Sequence, residues 1–289
     1  MASLFRRPTV GLALGGGGAR GLAHIGVLKV LENEGVIIDY LAGSSMGGLI
    51  AGLYAAEIPI SEIESEAISL SKVSELIKLL DLTPFRRGLL NGERVRAYLE
   101  DILGEDRLME NLRLPLALTA VDLLSRKEVI LSHGSLIEAM IATSCVPGLF
   151  TPIEKDNCLL IDGSVLNNVP GDVARKLGAE VIIAVDVNYL LEDDQQWKEF
   201  TGSSQLSKIL PRFALDFYQA EIIMISQLTE FKLKEANPNI ILRPKIPADV
   251  NIFLGFSHAA NTIEIGEECT RQALPKIQKI VQPRLRLGF

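Results

Sequence analysis

The chain of 289 residues is poor in histidine and cysteine and has no surplus of positive charge. Each shortage closes a class of function. Lys and Arg number 29 against 36 Asp and Glu, a formal charge of −7. That balance excludes a general affinity for nucleic acid, whose phosphates need a basic face. The three cysteines, Cys145, Cys158 and Cys269, are odd in number and far apart. They offer neither a disulfide framework nor metal-ligand spacing, which fits a reducing compartment. The longest uncharged run, Tyr40–Ala56, is too short and too rich in Gly and Ser for a membrane span. The opening stretch MASLFRRPTVGLALGGGGARG places a basic pair before an apolar run, but four glycines and Arg20 interrupt it. It reads as a folded first strand and not as a signal peptide. The expected location is cytoplasmic, with any membrane contact peripheral and at the inner face. Internal repeats, low-complexity tracts and linkers are also missing.

What is present is a regular alternation of elements. Thr9–Leu14 has the continuous apolar character of a buried strand, and a glycine loop follows it. Then comes LAHIGVLKVLENEG, with Ile25, Val27, Leu28 and Leu31 at helical spacing and Gly35 as a stop. VIIDYLAG predicts a second strand and GGLIAGLYAA a second helix. This is the rhythm of a parallel sheet with helices packed on it. Residues 61–103 read as helical, interrupted by DLTPFRRGLLNG. Strands resume with LPLALTAVDL and KEVILS, and SLIEAMIATSC is a short helix. NCLLIDGS and AEVIIAVDVN are apolar strand runs. Residues 190–235 are mostly helical, NIILRPKI is a last strand and Ala259–Val281 a closing helix. The expected fold is α/β: a mostly parallel central sheet with helices on both faces and helical insertions. One domain is expected over 1–289, with its core motifs at 9–170 and a helical part at 190–289.

Two motifs carry chemistry. Gly43-Ser44-Ser45-Met46-Gly47 fits G-x-S-x-G, in which the central serine stands on a tight strand-to-helix turn. Between the first strand and helix lies GGGGARG, Gly15 to Gly21. Gly16, Gly18 and Gly21 satisfy G-x-G-x-x-G, and Asp39 downstream completes a dinucleotide pattern. Asp39 falls inside the second strand run, however, where a ribose carboxylate should stand at the strand's end. The other reading aims the bared backbone N–H groups at the carbonyl oxygen of an ester under attack, as an oxyanion hole. If the first two strands are neighbours, glycine loop and serine turn share one edge of the sheet. The plainest reading of the glycines is tight helix–sheet packing.

A serine hydroxyl needs a base. Ser45, Asp162 and His258 stand in the chain order of an α/β-hydrolase triad, yet only two strands precede Ser45 and His258 lies near a helix start. Asp162 ends the run Leu159-Leu160-Ile161 and precedes Gly163, so it would emerge where a parallel strand gives way to a loop, the edge at which ligands gather. Its solution pKa of about 4 is low for a base, and desolvation would raise it. On the dipeptide alone, Asp-Gly is a turn.

The motifs GGGGARG, GSSMG and DGS, in this order and on these elements, resemble the patatin-like phospholipases, as do ATSCVPGLFTPI and NNVP. The resemblance covers most of Val10 to Pro170. It implies an α/β fold, a Ser–Asp dyad without a catalytic histidine, acyl-ester hydrolysis on phospholipids, lysophospholipids or related lipids, and no metal or other cofactor. Carried over by motif, Ser45 is the nucleophile and Asp162 its base, with Gly43, Gly47 and Gly163 as supports of their turns. The loop of Gly15, Gly16, Gly17 and Gly18, with Arg20, is the oxyanion and substrate-binding element. One departure is Ser164, where the family usually has Gly or Ala. The alternatives are a soluble carboxylesterase or thioesterase using Ser45, Asp162 and His258, and, further off, a dinucleotide-binding oxidoreductase. A lipid or acyl-ester substrate is thus the expected partner. For contact with anionic lipid, two segments are candidates: Phe85, Leu89 and Leu90 among Arg86, Arg87, Arg94 and Arg96, and the basic tail RQALPKIQKIVQPRLRLGF.

Overall fold

The computed structural model describes residues 5–79, 81, 87–189, 191–202, 211–250 and 255–285. Its strands are β1 (Phe5–Arg6), β2 (Val10–Leu14), β3 (Tyr40–Gly43), β4 (Leu116–Asp122), β5 (Lys127–Leu131), β6 (Ile153–Lys155), β7 (Cys158–Asp162), β8 (Val181–Val185), β9 (Ile240–Leu242) and β10 (Arg284–Leu285). The helices are α1 (Ala23–Asn33), α2 (Ser45–Ala55), α3 (Ile60–Ser69), α4 (Val73–Lys78), α5 (Glu93–Leu103), α6 (Leu136–Thr143), α7 (Ser164–Asn167), α8 (Gly171–Leu177), α9 (Asp194–Thr201), α10 (Arg212–Ala236) and α11 (Ala259–Val281). β1 and β10 form a small antiparallel pair, and the other strands make one sheet.

At the centre of that sheet β4, β3, β2, β8 and β9 run parallel, in this order. β2, β4 and β8 are buried along their whole length, as strands covered on both faces must be. The two faces differ in bulk. Leu12, Leu14, Leu41, Leu118, Ile183 and Val185 fill one face against α1, α2, α6 and α11. On the other, Ala13 pairs with Ala42 and with Ala184, and Ala42 with Ala117, giving a row of methyl groups across four strands. Val173 and Ala174 of α8 and Leu233 of α10 pack directly on that row.

The antiparallel strands explain how the site is built. β4 pairs with β5 along one edge, from Leu118 to Asp122. Its other edge is shared: β3 occupies it up to Gly43, opposite Leu118, and β7 takes over where Asp162 faces Ala120. β3 and β7 therefore approach each other end to end along one side of β4. Asp162 does not end a parallel strand, as its apolar run suggested. It ends an antiparallel one, and it still reaches the carboxyl edge of the sheet because β7 overlaps only the last residues of β4. Ile153–Lys155, missed in the sequence, supplies the hairpin partner of β7.

The remaining helices and strands lie close to where periodicity put them. β3 begins at Tyr40, not Val36, because Asp39 turns to meet Arg7. Of the two lipid-contact segments, Phe85, Arg86 and residues 286–289 lie outside the described residues. Leu90 is buried, bridging to Phe150, so it is withdrawn from any surface role, while Leu89 and Arg87 are exposed and Arg94 and Arg96 sit on α5. Among the described residues no helix is long and apolar enough to cross a membrane.

Candidate active site

β2 and β3 are neighbours, so the glycine loop leaving one and the serine turn leaving the other share an edge. The Ser44 amide donates to Leu14 O at 3.1 Å and ties the two turns together. Ser45 follows with φ 52°, in the left-handed region that residues with a Cβ rarely adopt. Holding it there costs about 1–3 kcal/mol, which the surrounding contacts offset. Its amide donates to Thr143 Oγ1 at 3.1 Å, and that hydroxyl donates to Thr119 O at 2.6 Å, so α6 and β4 both clamp the turn. Of the serine pair, Ser44 is fully buried with its hydroxyl facing no partner, and Ser45 is the one aimed at a carboxylate. Gly43 and Gly47 are pressed together by the turn: a Cβ on Gly43 would lie 2.8 Å from Gly47 O.

Ser45 Oγ donates to Asp162 Oδ2 at 2.6 Å. Asp162 Oδ1 accepts from the Ser164 amide at 2.8 Å and from Ser164 Oγ at 2.6 Å. The carboxylate is fully buried, and among the described residues no cation pairs with it. Burial pushes its pKa up to about 6, against the hydrogen bonds from Ser164 and Ser45, which pull it down. Gly163 passes so close to Thr119 that a Cβ there would fall on the threonine carbonyl oxygen. Nearby, burial and then the field of Asp162 push the Cys145 thiol up to about 12.

The glycine loop divides into spent and open amides. Gly15 donates to Val185 O at 3.0 Å, and its carbonyl accepts from His24 Nε2 at 2.6 Å. Because a carbonyl can only accept, His24 carries its proton on Nε2. Burial holds this ring near pKa 4, partly opposed by the Gly15 bond, so it is neutral and structural. Gly16 donates to Asn168, to its O at 3.2 Å and its Oδ1 at 3.0 Å. A Cβ on Gly16 would lie 2.8 Å from Ser45 Cβ, which measures how closely the loop overhangs the serine. The Gly17 and Gly18 amides have no acceptor among the described residues, and Gly18 has φ 56°. The sequence expectation of Gly15 to Gly18 as oxyanion donors thus narrows: the first two are committed to the scaffold.

Arg20 does not join them. Its guanidinium is buried, donates to the carbonyls of Val187, Asn188, Pro247 and Val250, and lies 4.1 Å over the Tyr189 ring. It ties the glycine loop to two neighbouring loops and is unavailable to a substrate. His258 is half exposed at the start of α11, 3.8 Å from Asp249, and takes no part in the Ser45–Asp162 contact. Asp39 lies at the opposite edge of the sheet, paired with Arg7 at 2.6 and 2.7 Å, so it is not placed to meet a ribose beside the glycines. Thr143, Asn168 and Ser164 escaped the sequence reading as site residues. ATSCVPGLFTPI, NNVP and DGS contained all three, but what each one holds depends on the fold. Among the described residues no three His, Cys, Asp or Glu side chains converge as a metal site.

Such an arrangement can lend a hydroxyl to nucleophilic attack, take its proton on a carboxylate of raised pKa, and offer free amides to the charge that develops. The Patatin family model, described as Patatin-like phospholipase, matches residues 12–175, which include both Ser45 and Asp162. The chain is 32% identical over 287 residues to patatin-like phospholipase domain-containing protein ZK370.4 of Caenorhabditis elegans, covering 94% of this chain and 21% of that protein. It is 36% identical over 198 residues to patatin-like phospholipase domain-containing protein 6 of Mus musculus, covering 67% and 14%. An uncharacterized NTE family protein of Mycobacterium bovis is 39% identical over 181 residues, covering 63% of this chain and 49% of its own. The chain therefore spans at most about half the length of these relatives. In fold it is similar to VipD from Legionella pneumophila, with a TM-score of 0.58 at 15% identity over 93% of this chain and 67% of that one.

Proposed function

Because the chain belongs to the patatin-like phospholipase family, whose members are lipid hydrolases acting on ester bonds, we propose that it is a serine lipid acyl hydrolase of phospholipase A or lysophospholipase type. Ser45 is the nucleophile and Asp162 its general base. The observation that carries this reading is the 2.6 Å bond between Ser45 Oγ and Asp162 Oδ2 in a site where no histidine contacts either group.

Ser45 Oγ attacks the ester carbonyl carbon while Asp162 takes its proton. The carbonyl oxygen becomes an oxyanion facing the free amides of Gly17 and Gly18, with the Met46 amide, directly after the nucleophile, as a third donor. Collapse of the tetrahedral species breaks the bond to the alcohol or lysolipid oxygen, which leaves with the proton from Asp162. Water then gives a proton to Asp162 and attacks the acyl-serine. The second collapse frees the fatty acid, and the proton returns to Ser45.

Hydrolysis of a short-chain nitrophenyl ester by wild type, Ser45→Ala, Asp162→Asn and His258→Ala tests the proposal. The first two variants should be inactive and the third near wild type. Loss of turnover in a folded His258→Ala would replace the dyad with a triad, and a wild type that neither hydrolyses ester nor labels with a fluorophosphonate would sink the reading.

A further inference from the structure

α10 carries the least economical surface of the described molecule. Phe213, Phe217, Met224 and Phe231 are 76%, 69%, 61% and 64% exposed, an expensive way to leave four large apolar side chains. Their separations of four, seven and seven residues put them within about 40° of one another around the helix axis. The stripe runs about 27 Å along that axis. The buried residues of the same helix, Tyr218, Ser226, Thr229, Leu233 and Ala236, centre on the opposite side. The apolar ridge thus points straight out of the protein.

Its position relative to the site says what it meets. The inner side of α10 packs on α7 and α8, the two elements that directly follow Asp162. One turn after Phe217 on that helix stands Glu221, partly buried, whose carboxyl is raised by burial and then by the charge of Asp162. The ridge is therefore the outward side of the helix that packs on the two elements directly following Asp162. A ridge is convex, and a fluid lipid surface conforms to it without a preformed groove. Charges of both signs stand beside it, among them Arg212, Asp216, Glu230 and Lys234, so its attraction is apolar and not electrostatic.

We propose that the Phe213–Phe217–Met224–Phe231 ridge of α10 is the surface by which this protein docks on a neutral, zwitterionic lipid layer, presenting the Ser45–Asp162 site to it. This deepens the hydrolase reading, and its substrate logic rests on that reading. It also places the membrane contact elsewhere than on the two basic segments that the sequence offered as candidates.

Sedimentation of the full chain with phosphatidylcholine vesicles tests the proposal, comparing wild type with Phe213→Ser/Phe217→Ser/Phe231→Ser. Wild type should bind, and raising salt should leave binding nearly unchanged. The triple variant should lose at least about tenfold in partitioning, while retaining its circular dichroism and its turnover of a soluble nitrophenyl ester. Ser45→Ala should bind vesicles like wild type. Equal binding by the triple variant, or no binding by wild type, overturns the docking surface even if soluble ester is hydrolysed. Light scattering gives a third overturning result: a wild-type dimer that the triple variant converts to monomer makes a second copy the occupant. Docking through the ridge with no hydrolysis of any ester sinks the catalytic reading and leaves the surface standing.

Discussion

The two edges of the parallel sheet treat the same side chain in opposite ways. At the carboxyl edge Asp162 is buried with two hydroxyls and one amide for company, and its pKa is pushed up to about 6. At the amino edge burial also works to raise Asp39, but Arg7 and the Val10 amide outweigh it and hold that carboxyl below its usual range. Glu180, just before β8 at this same edge, is likewise held down, by Arg6 and the Thr9 amide. Strand ends gather carboxylates at both edges. What separates the proposed base from a structural tie is whether a cation and enough amides reach the carboxylate.

The largest break in this contrast comes from the proposed dyad itself. Ser45→Ala should lower kcat at least about 10⁴-fold, and Asp162→Asn about 10³- to 10⁴-fold, in ester turnover by folded protein. Asp162 has a raised folded pKa, so its ionisation opposes folding: the associated stability is present below about pH 4 and lost as pH rises through about 6. Asp162→Asn should accordingly be more stable than wild type at pH 8, by up to about 3 kcal/mol in urea unfolding, with the difference shrinking at acid pH. A destabilised Asp162→Asn would mean that the carboxylate is structurally held after all.

Next in size is the loop above the serine. Gly16→Ala would set a Cβ 2.6 Å from Asn168 Oδ1 and 2.8 Å from Ser45 Cβ, so the loop must shift. A kcat loss of about 10²-fold is expected with KM changed much less, because the donors are misplaced only for the developing oxyanion. Smaller again is Ser164→Ala. Removing a hydroxyl that favours the charged carboxylate should move the acid limb of kcat/KM, centred near pH 6 in wild type, to higher pH and cost several-fold at pH 7. An unmoved limb would detach Ser164 from the base. At the other edge, Asp39→Asn should leave turnover unchanged and cost about 1 kcal/mol of stability, lost as pH falls and the native carboxylate is protonated.

Much of this was legible in the residues. The glycine run, the serine turn and the Asp-Gly pair each mark a strand end, and periodicity placed α11 at Ala259–Val281 without error. The strand direction of β7 was not legible, because an apolar run of CLLID reads alike in parallel and antiparallel pairing. Nor could sequence tell which glycine amides were free, since that turns on Val185 and Asn168, each more than 150 positions away. Arg20 misled for a related reason: beside glycines a cation suggests an anion site, whereas here the carbonyl groups of distant loops surround it.

The end-to-end meeting of β3 and β7 along β4 makes the molecule sensitive to length as well as to composition. β4 works as a ruler, and the gap between hydroxyl and carboxylate is whatever the two strands leave uncovered on it. One residue added within Leu160–Asp162, the part of β7 that pairs with β4, would displace the aspartate by about 3.3 Å and turn the side chains beyond the insertion to the opposite face. The same residue added at Asp156–Asn157, a turn outside the ruled span, would leave the gap as it is. For this site, insertions and deletions are graded by where they fall along β4, not by how conservative they look.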